Sequence, residues 1–163
     1  MLPERFRGEH YKPKAPTTPK RNPRATQLAM ARNNDPSTWA TYEQAEQTAK
    51  EYGCGIGLML GPADDGFNLV AFDLDDCRNP ETGEIAPWAW ELIKECGSYV
   101  EITPSGTGLR IIGRGDGTEA HFTLRRPDDA HVEVYSKATR YITVTGQQLE
   151  GTPDELADIS AVV

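Results

Sequence analysis

Short apolar runs bounded by turn residues fill most of the chain after residue 54, and they predict β-strands. The runs are "GIGLMLG", "FNLVAFDLD", "SYVEITP", "GLRIIGRG", "HVEVYS" and "RYITVTG". Each is short and lies next to glycine, proline or other turn residues, which is typical of strands joined by tight connections. The connections "PADDG", "PSGTG" and "KAT" predict that the runs pair two by two as hairpins.

Helix signals occur in other segments. A capping box formed by Thr41 and Gln44 predicts a helix from about Thr41 to Tyr52, with Gly53 as its stop. The segments "PWAWELIKEC" and "GTPDELADI" carry proline in the first turn and predict two further helices. Helices and paired strands in this order predict an α+β fold, in which helices cover one face of a mostly antiparallel sheet.

Charge divides the chain into two parts. Residues 1–35 hold eight Lys/Arg against three Asp/Glu, whereas residues 36–163 hold nine against 22. We therefore expect a basic, proline-rich, irregular arm over 1–35 and one folded domain over 36–163. The acidic body does not attract polyanions through its overall field, although a basic arm can do so locally.

The sequence carries no sign of secretion or of a membrane segment. No apolar run approaches the roughly 20 residues that a membrane-spanning helix needs, and the first residues lack the apolar core of a signal peptide. Cys54, Cys77 and Cys96 form no CxxC pair, which argues against a disulfide framework or a structural zinc site. These features predict a cytoplasmic protein with no membrane partner.

Acidic residues end one of the apolar strands, in "LVAFDLDDC". Side chains alternate along a strand, so Asp73 and Asp75 share one face while Phe72 and Leu74 point to the core. Two carboxylates roughly 6–7 Å apart repel unless a cation lies between them. Mg²⁺ and Mn²⁺ prefer such oxygen ligands. Taken alone, this short pattern is more readily explained as a solvated strand end.

A third acid occurs in the alternating run "HVEVYS". Glu133 faces away from Val132 and Val134, and it completes a three-carboxylate cluster if its strand neighbours the aspartate strand. An ordinary exposed strand acid explains it equally well. That neutral interpretation is also the one we give to Glu101 in "SYVEITP".

The connection "TPSGTGLRI" has the composition of an anion-binding turn. Ser105, Gly106, Thr107 and Gly108 are small and allow backbone N–H groups to converge on an anion, and two of them add hydroxyl groups. Arg110 adds a planar fork that suits phosphate oxygens. No "GK[ST]" follows, so this is not a Walker loop, and a plain hairpin turn is the simple alternative.

Two further cations follow Glu133 in "KATRYITVTG". Lys137 and Arg140 are candidates for neutralising a triphosphate, or they belong to a solvated turn. Acids, an anion-cradling turn and basic groups at the strand ends of one sheet are together typical of metal-assisted phosphoryl transfer.

Three stretches resemble a known family. "AFDLDDCRNPETGEIAPWAWELI", "SYVEITPSGTGLRIIGRG" and "VEVYSKATRYITVTG" are similar to the bifunctional primase–polymerase domains of phage, prophage and plasmid replication proteins. These domains belong to the archaeo-eukaryotic primase superfamily. The resemblance runs in matching order from about Asn33 to Pro153.

The resemblance implies roles for the residues that match the family motifs. Asp73, Asp75 and Glu133 correspond to the catalytic ligands of two divalent cations, Mg²⁺ or Mn²⁺. The turn ending at Arg110 corresponds to the motif that contacts the phosphates of the incoming nucleotide. The implied core is a palm like an RNA-recognition motif, and the implied partners are nucleoside triphosphates, a single-stranded DNA template and a helicase domain or subunit, in a bacterial or phage-infected cell.

The sequence departs from the family at two points. The second motif usually ends in histidine, and here it ends in Arg110, which holds a phosphate but does not shuttle a proton. The basic arm stands where an aromatic-rich strand is expected. The leading hypothesis is a template-directed nucleotidyltransferase. The alternatives are a degenerate palm that binds nucleotide or single-stranded nucleic acid, an acidic-site nuclease, and a plain α+β domain.

Overall fold

The computed structural model describes residues 33–62, 66–126, 130–136 and 140–163, together with the backbone of residues 11–13. These residues form the helices α1 (Tyr42–Tyr52) and α2 (Pro87–Cys96). The strands are β1 (Tyr11–Pro13), β2 (Ile56–Met59), β3 (Gly61–Pro62), β4 (Asn68–Asp75), β5 (Tyr99–Ile102), β6 (Leu109–Gly115), β7 (Ala120–Arg125), β8 (His131–Ser136) and β9 (Tyr141–Val144). Every pair among these described strands is antiparallel, so the predicted α+β class is confirmed.

Both helices that the structure describes begin and end where the sequence signals lie. At the start of α1, the Gln44 amide donates to Thr41 Oγ1 at 3.4 Å, and the Thr41 amide donates to Gln44 Oε1 at 3.3 Å. This reciprocal pair satisfies two amides that would otherwise have no partner in the first turn. Gly53 and Gly97 end α1 and α2 with φ of 64° and 54°, in the left-handed region that glycine enters without strain.

The chain divides into two compact units, which we describe separately. One unit contains α1 and a three-stranded sheet in the order β1-β2-β9. The other contains α2, the segment after Val144, and a sheet in the order β5-β6-β4-β8-β7, with β3 paired to β4. All of the motif residues in strands β4, β6 and β8 therefore belong to this second sheet.

Strand β4 lies in the middle of its sheet, and its two faces carry different side chains. Val70, Phe72 and Leu74 point to one face and are at most 3% exposed. Helix α2 packs against this face through Ala89 and Ile93. Burying each large apolar side chain contributes about 1.5–3 kcal/mol, so this face holds the sheet and helix together. On the opposite face, Leu69 and Ala71 are also buried, and Asp73 and Asp75 occupy the last positions of the strand.

Two of the three predicted hairpins are wrong. Strand β2 pairs with β9, with Leu58 opposite Ile142, and only the short β3 folds back onto β4. Strand β8 pairs with β4 and with β7, not with β9. The residues of β7, "AHFTLR", gave no clear strand signal, since most of them are exposed. The hairpin of β5 and β6 across the glycine-containing connection is confirmed.

The predicted third helix over "GTPDELADI" is also wrong. The segment is irregular and lies along the sheet, where the Arg114 amide donates to the Ala157 carbonyl at 2.8 Å and the Ile159 amide donates to the Arg114 carbonyl at 2.9 Å. Ile159 is 1% exposed and joins the core. Apolar burial and sheet pairing therefore outweigh the local capping signal.

Most of the predicted basic arm, namely residues 1–10 and 14–32, lies outside the described residues. The division at residue 35 therefore stays a prediction. Within the described ranges, no helix is both long and apolar enough to cross a membrane.

Candidate active site

Charged side chains form one row across the sheet, on the face opposite the one that α2 covers. Asp73 on β4 lies opposite Arg110 on β6 and opposite Glu133 on β8. Arg110 in turn lies opposite Glu101 on β5. We call these four residues the charge row. Directly paired residues share a face and lie about 4.5–5.5 Å apart at Cβ, so the sheet brings Asp73 and Glu133 together from positions 60 residues apart in the chain.

Asp73 is held on one side only. Its Oδ2 accepts a hydrogen bond from Arg110 Nη2 at 2.6 Å, in an ion pair with both side chains largely buried. Its Oδ1 is buried and has no hydrogen-bond partner among the described residues. A buried carboxylate oxygen without a donor is costly, and such atoms occur where a ligand or an ion is bound.

Asp75 lies at the end of β4, on the same face as Asp73, and is exposed. Burial raises the pKa of its carboxyl, and the negative charges of Asp73, Glu133 and Asp76 raise it further, against the opposing effect of Arg110. The acids at this edge therefore exceed the local positive charge. Asp76 turns out of the strand with φ of 53°, a left-handed conformation that costs an aspartate of order 1–3 kcal/mol and is concentrated at functional sites.

Glu133 has a hydrogen-bond donor on its own strand. The hydroxyl of Tyr135 donates to Glu133 Oε2, and the two residues share a face of β8. The Tyr135 ring is 5% exposed and stacks on His121 of β7, with 5.2 Å between the ring centroids. Arg110 thus donates to Asp73 and Tyr135 donates to Glu133, the two carboxylates that pair across β4 and β8.

The connection between β5 and β6, which we call the glycine turn (residues 103–108), is closed by its own side chains. The Ser105 hydroxyl lies 3.0 Å from both the Thr103 and the Thr107 hydroxyls. The amides of Gly106, Thr107 and Gly108 donate to Thr103 or Ser105 within the turn. An anion at these amides must therefore exchange with internal bonds, while the Ser105 and Thr107 hydroxyls lie at the surface.

Gly108 brings the glycine turn against the end of β4. A Cβ atom at this position would lie 2.7 Å from the Leu74 carbonyl oxygen and 3.0 Å from Thr103 Oγ1. Gly106 has φ of 77°, where a side chain is strained. These two glycines allow the turn to lie beside the acidic end of β4. Ser105 and Asp75 therefore lie at the same end of the sheet.

Two residues that sequence reasoning set aside or missed also support the site. Arg78 donates from Nη1 to the Gly106 carbonyl at 2.7 Å and its amide donates to the Thr107 carbonyl at 2.9 Å, which anchors the glycine turn to the acidic loop. Glu101, taken as an ordinary strand acid, is 0% exposed. Its burial could not be read from the alternation pattern, because β5 is apolar on both sides of it.

The remaining sequence candidates are Lys137 and Arg140. Lys137 lies outside the described residues. Arg140 is exposed and belongs to the other compact unit. Their assignment to a triphosphate therefore stays a prediction.

The donor set suits a hard divalent cation, although the carboxylates are not gathered around one point. Among the described residues, no group of three or more His, Cys, Asp or Glu side chains is close enough to hold a metal ion. The bonds from Arg110 and Tyr135 explain the spread, since each turns one carboxylate toward its own neighbour. The buried Asp73 Oδ1 and the excess negative charge around Asp75 are the features that a cation satisfies.

Comparison with known proteins agrees with the sequence motifs. The chain is 34% identical over 127 residues to the DNA primase-polymerase of Nitratiruptor phage NrS-1. The match covers 76% of this chain and 17% of the relative, so the chain spans a small part of that protein's length. No family model matches the chain. The relative confirms the resemblance to primase–polymerase domains.

Proposed function

We propose that this chain, which carries a domain related to phage DNA primase–polymerases, is a metal-dependent, template-directed nucleotidyltransferase. The observation that carries the proposal is the charge row, in which Asp73 and Glu133 face each other across β4 and β8 beside Arg110. Cross-strand pairing of two acids is unfavourable by itself, and a divalent cation between them relieves a repulsion that Arg110 offsets at Asp73 alone.

Asp73, Asp75 and Glu133 are the proposed ligands of Mg²⁺ or Mn²⁺. Asp73 offers its buried Oδ1 without losing the bond to Arg110, and Asp75 is exposed at the strand end. Glu133 must exchange the Tyr135 hydroxyl for the ion or share one oxygen with each. When bound, such ions lower the pKa of an attacking 3′-hydroxyl and offset the charge that develops on the transferred phosphate.

Arg110 and the glycine turn are the proposed contacts to the triphosphate. Arg110 is permanently charged, so it offsets phosphate charge but does not act as an acid or a base. Ser105 and Thr107 supply hydroxyl donors, and Gly108 lets the turn pack closely against the Leu74 carbonyl of β4. We assign proton transfer from the 3′-hydroxyl to water or to a carboxylate, not to Arg110.

The proposed partners follow from this chemistry. They are nucleoside triphosphates and a single-stranded DNA template, with a helicase domain or subunit as a further partner in phage or plasmid-type replication. The relative is far longer than the matched region, which leaves room for such a portion in that protein.

Primer extension tests the proposal. We expect the wild type to extend a primer on a template with Mg²⁺ or Mn²⁺, and Asp73→Ala/Asp75→Ala to be inactive. The matched control is Asp116→Asn, an exposed acid in a loop away from the charge row. Equal extension by the wild type and the double variant would reject the assignment.

A catalytically degenerate palm is the second candidate, and the Asp73–Arg110 ion pair favours it. In that case one oxygen of the first ligand stays neutralised, and the domain binds nucleotide or single-stranded nucleic acid without turnover. Metal-dependent binding of a nucleoside triphosphate with no extension under any tested metal supports this candidate. Release of nucleotides from DNA without added triphosphate would instead indicate a nuclease.

A further inference from the structure

Glu101 is a buried acid that the proposed mechanism does not use. It is 0% exposed, and Arg110 on the neighbouring strand is 7% exposed. Charged residues are almost never fully buried unless they are paired. The pairing register sets Glu101 directly opposite Arg110, and Asp73 lies directly opposite Arg110 on its other side. Arg110 therefore lies between two acidic residues in one row, with its guanidinium bonded to Asp73.

The Glu101 carboxylate is itself fixed by several donors. Its Oε1 accepts the Thr145 amide at 3.0 Å, and its Oε2 accepts the Gly146 amide at 3.1 Å and the Tyr99 hydroxyl at 3.3 Å. Burial raises the pKa of Glu101, whereas these amides and the positive charge of Arg110 oppose that shift. Two amides aimed at two oxygens are the arrangement that suits a carboxylate.

From these contacts we infer that Glu101 is a positioning residue, whose fixed negative charge offsets the charge of Arg110 and keeps its guanidinium in place when Asp73 also binds the metal. The inference rests on the proposed function, because it assigns how that same site binds its phosphates. Asp73 holds Arg110 through one oxygen only, because its other oxygen is the proposed metal ligand. Backbone amides fix both oxygens of Glu101, so its charge stays on the strand position opposite Arg110.

A purely structural role is the competing explanation. Glu101 also ties the segment after Val144 to the sheet, together with the Thr145 hydroxyl, which donates to the Ile102 carbonyl at 2.7 Å. If Glu101 serves only to attach this segment, the length of its side chain matters more than its negative charge. Glu101→Gln keeps the shape and loses the charge, whereas Glu101→Asp keeps the charge and shortens the side chain. The two explanations therefore predict opposite rankings of the two variants.

The experiment measures equilibrium binding of a non-hydrolysable deoxynucleoside triphosphate to the full chain with Mg²⁺, beside KM and kcat for extension. We expect Glu101→Gln to weaken nucleotide binding about tenfold, the size typical of coupling between neighbouring charges, and Glu101→Asp to weaken it less. Thr145→Val is the matched control; it loses the bond to Ile102 and lowers the melting temperature, with nucleotide affinity unchanged. In an Arg110→Gln background, Glu101→Gln should have little further effect.

The result that overturns the inference is Glu101→Gln binding nucleotide as well as the wild type, or better than Glu101→Asp. A second readout needs no nucleotide: the ¹⁵Nε resonance of Arg110 should shift in Glu101→Gln and keep its position in Thr145→Val. An unchanged resonance in Glu101→Gln also overturns the inference. If the wild type binds no nucleotide at all, the proposed function fails, and the Arg110 resonance still decides whether Glu101 positions the guanidinium.

Discussion

Carboxylates at the charge row and beside it lie in opposite surroundings. We call the part that holds Glu101 and Arg110 the closed side, and the part that holds Glu133 and the neighbouring Asp75 the open side. On the closed side, Glu101 and Arg110 are 0% and 7% exposed, and hydrogen bonds hold both oxygens of Glu101. On the open side, Asp75 is exposed, Glu133 is half-buried, and the acids exceed the nearby positive charge. Both oxygens of Glu101 have donors, whereas Asp73 Oδ1 has no donor among the described residues. A carboxylate therefore indicates a binding site only when its surroundings leave it uncompensated.

The largest expected effect comes from removing the positive charge of Arg110. Arg110→Met leaves Glu101 and Asp73 buried without their shared partner, and we expect it to cost about 3–5 kcal/mol of unfolding free energy. Arg110→Lys should cost less, because the charge stays while the planar fork is lost. Urea denaturation measures both, with Arg125→Met on the exposed edge strand as the control. Equal stability of Arg110→Met and the wild type contradicts the closed side as described.

A steric change at the glycine turn should have the next largest effect. Gly108→Ala places a methyl group 2.7 Å from the Leu74 carbonyl oxygen, so the turn must move away from β4. We expect a loss of about 1–3 kcal/mol, typical of overpacking, together with weaker nucleotide binding. Gly55→Ala is the control, since its Cβ would meet only ordinary contact at 3.7 Å from Thr143 Cγ2. A Gly108→Ala variant that melts like Gly55→Ala would show that the close approach is unimportant.

Removing a charge on the open side should raise the stability of the protein, not lower it. A raised pKa for Asp75 means that the folded protein favours the protonated form, so the stability contributed by this group falls as the pH rises above 3.8. Asp75→Asn should therefore stabilise the metal-free protein at neutral pH, by about 0.2–1 kcal/mol, the range of a cross-strand charge pair. Mn²⁺ should raise the melting temperature of the wild type more than that of the variant. Destabilisation by Asp75→Asn at pH 7 without metal argues against excess negative charge.

The smallest expected effect concerns the reactivity of Cys77, which shows whether the end of β4 next to the exposed aspartates stays closed to solvent. Cys77 follows two exposed aspartates, yet it is 2% exposed, and burial raises the pKa of its thiol to about 11. We expect a disulfide reagent at pH 8 to leave Cys77 unmodified in the folded protein and to label it after unfolding. Cys54, which is half-buried, serves as the internal comparison. Rapid labelling of native Cys77 would mean that the strand end opens readily.

Sequence reasoning reached the parts of the site that local chemistry specifies. The alternation in β4 and β8 assigned Asp73, Asp75 and Glu133 to faces, and the small residues marked the glycine turn. Glycine at 108 is required by the Leu74 carbonyl, a contact that lies 34 residues away and that the composition of the turn only hints at. The helices α1 and α2 were predictable because each carries its own start and stop signals.

The errors share one physical cause, which is that partners distant in sequence override local signals. β2 and β9 pair across more than 80 residues, so adjacency along the chain gave the wrong hairpins. The segment "GTPDELADI" has helix signals but gains more from burying Ile159 against the sheet. The burial of Glu101 depends on amides at 145 and 146, and no pattern within β5 indicates them.

Anomalous diffraction from a crystal soaked with Mn²⁺ and a non-hydrolysable nucleotide tests the central claim most directly. The account predicts a manganese peak about 2.1 Å from Asp73 Oδ1, with Asp75 and Glu133 as further ligands and the triphosphate against Arg110. A peak away from these carboxylates, or nucleotide bound with Glu133 still turned to Tyr135 and no metal beside Asp73, contradicts it.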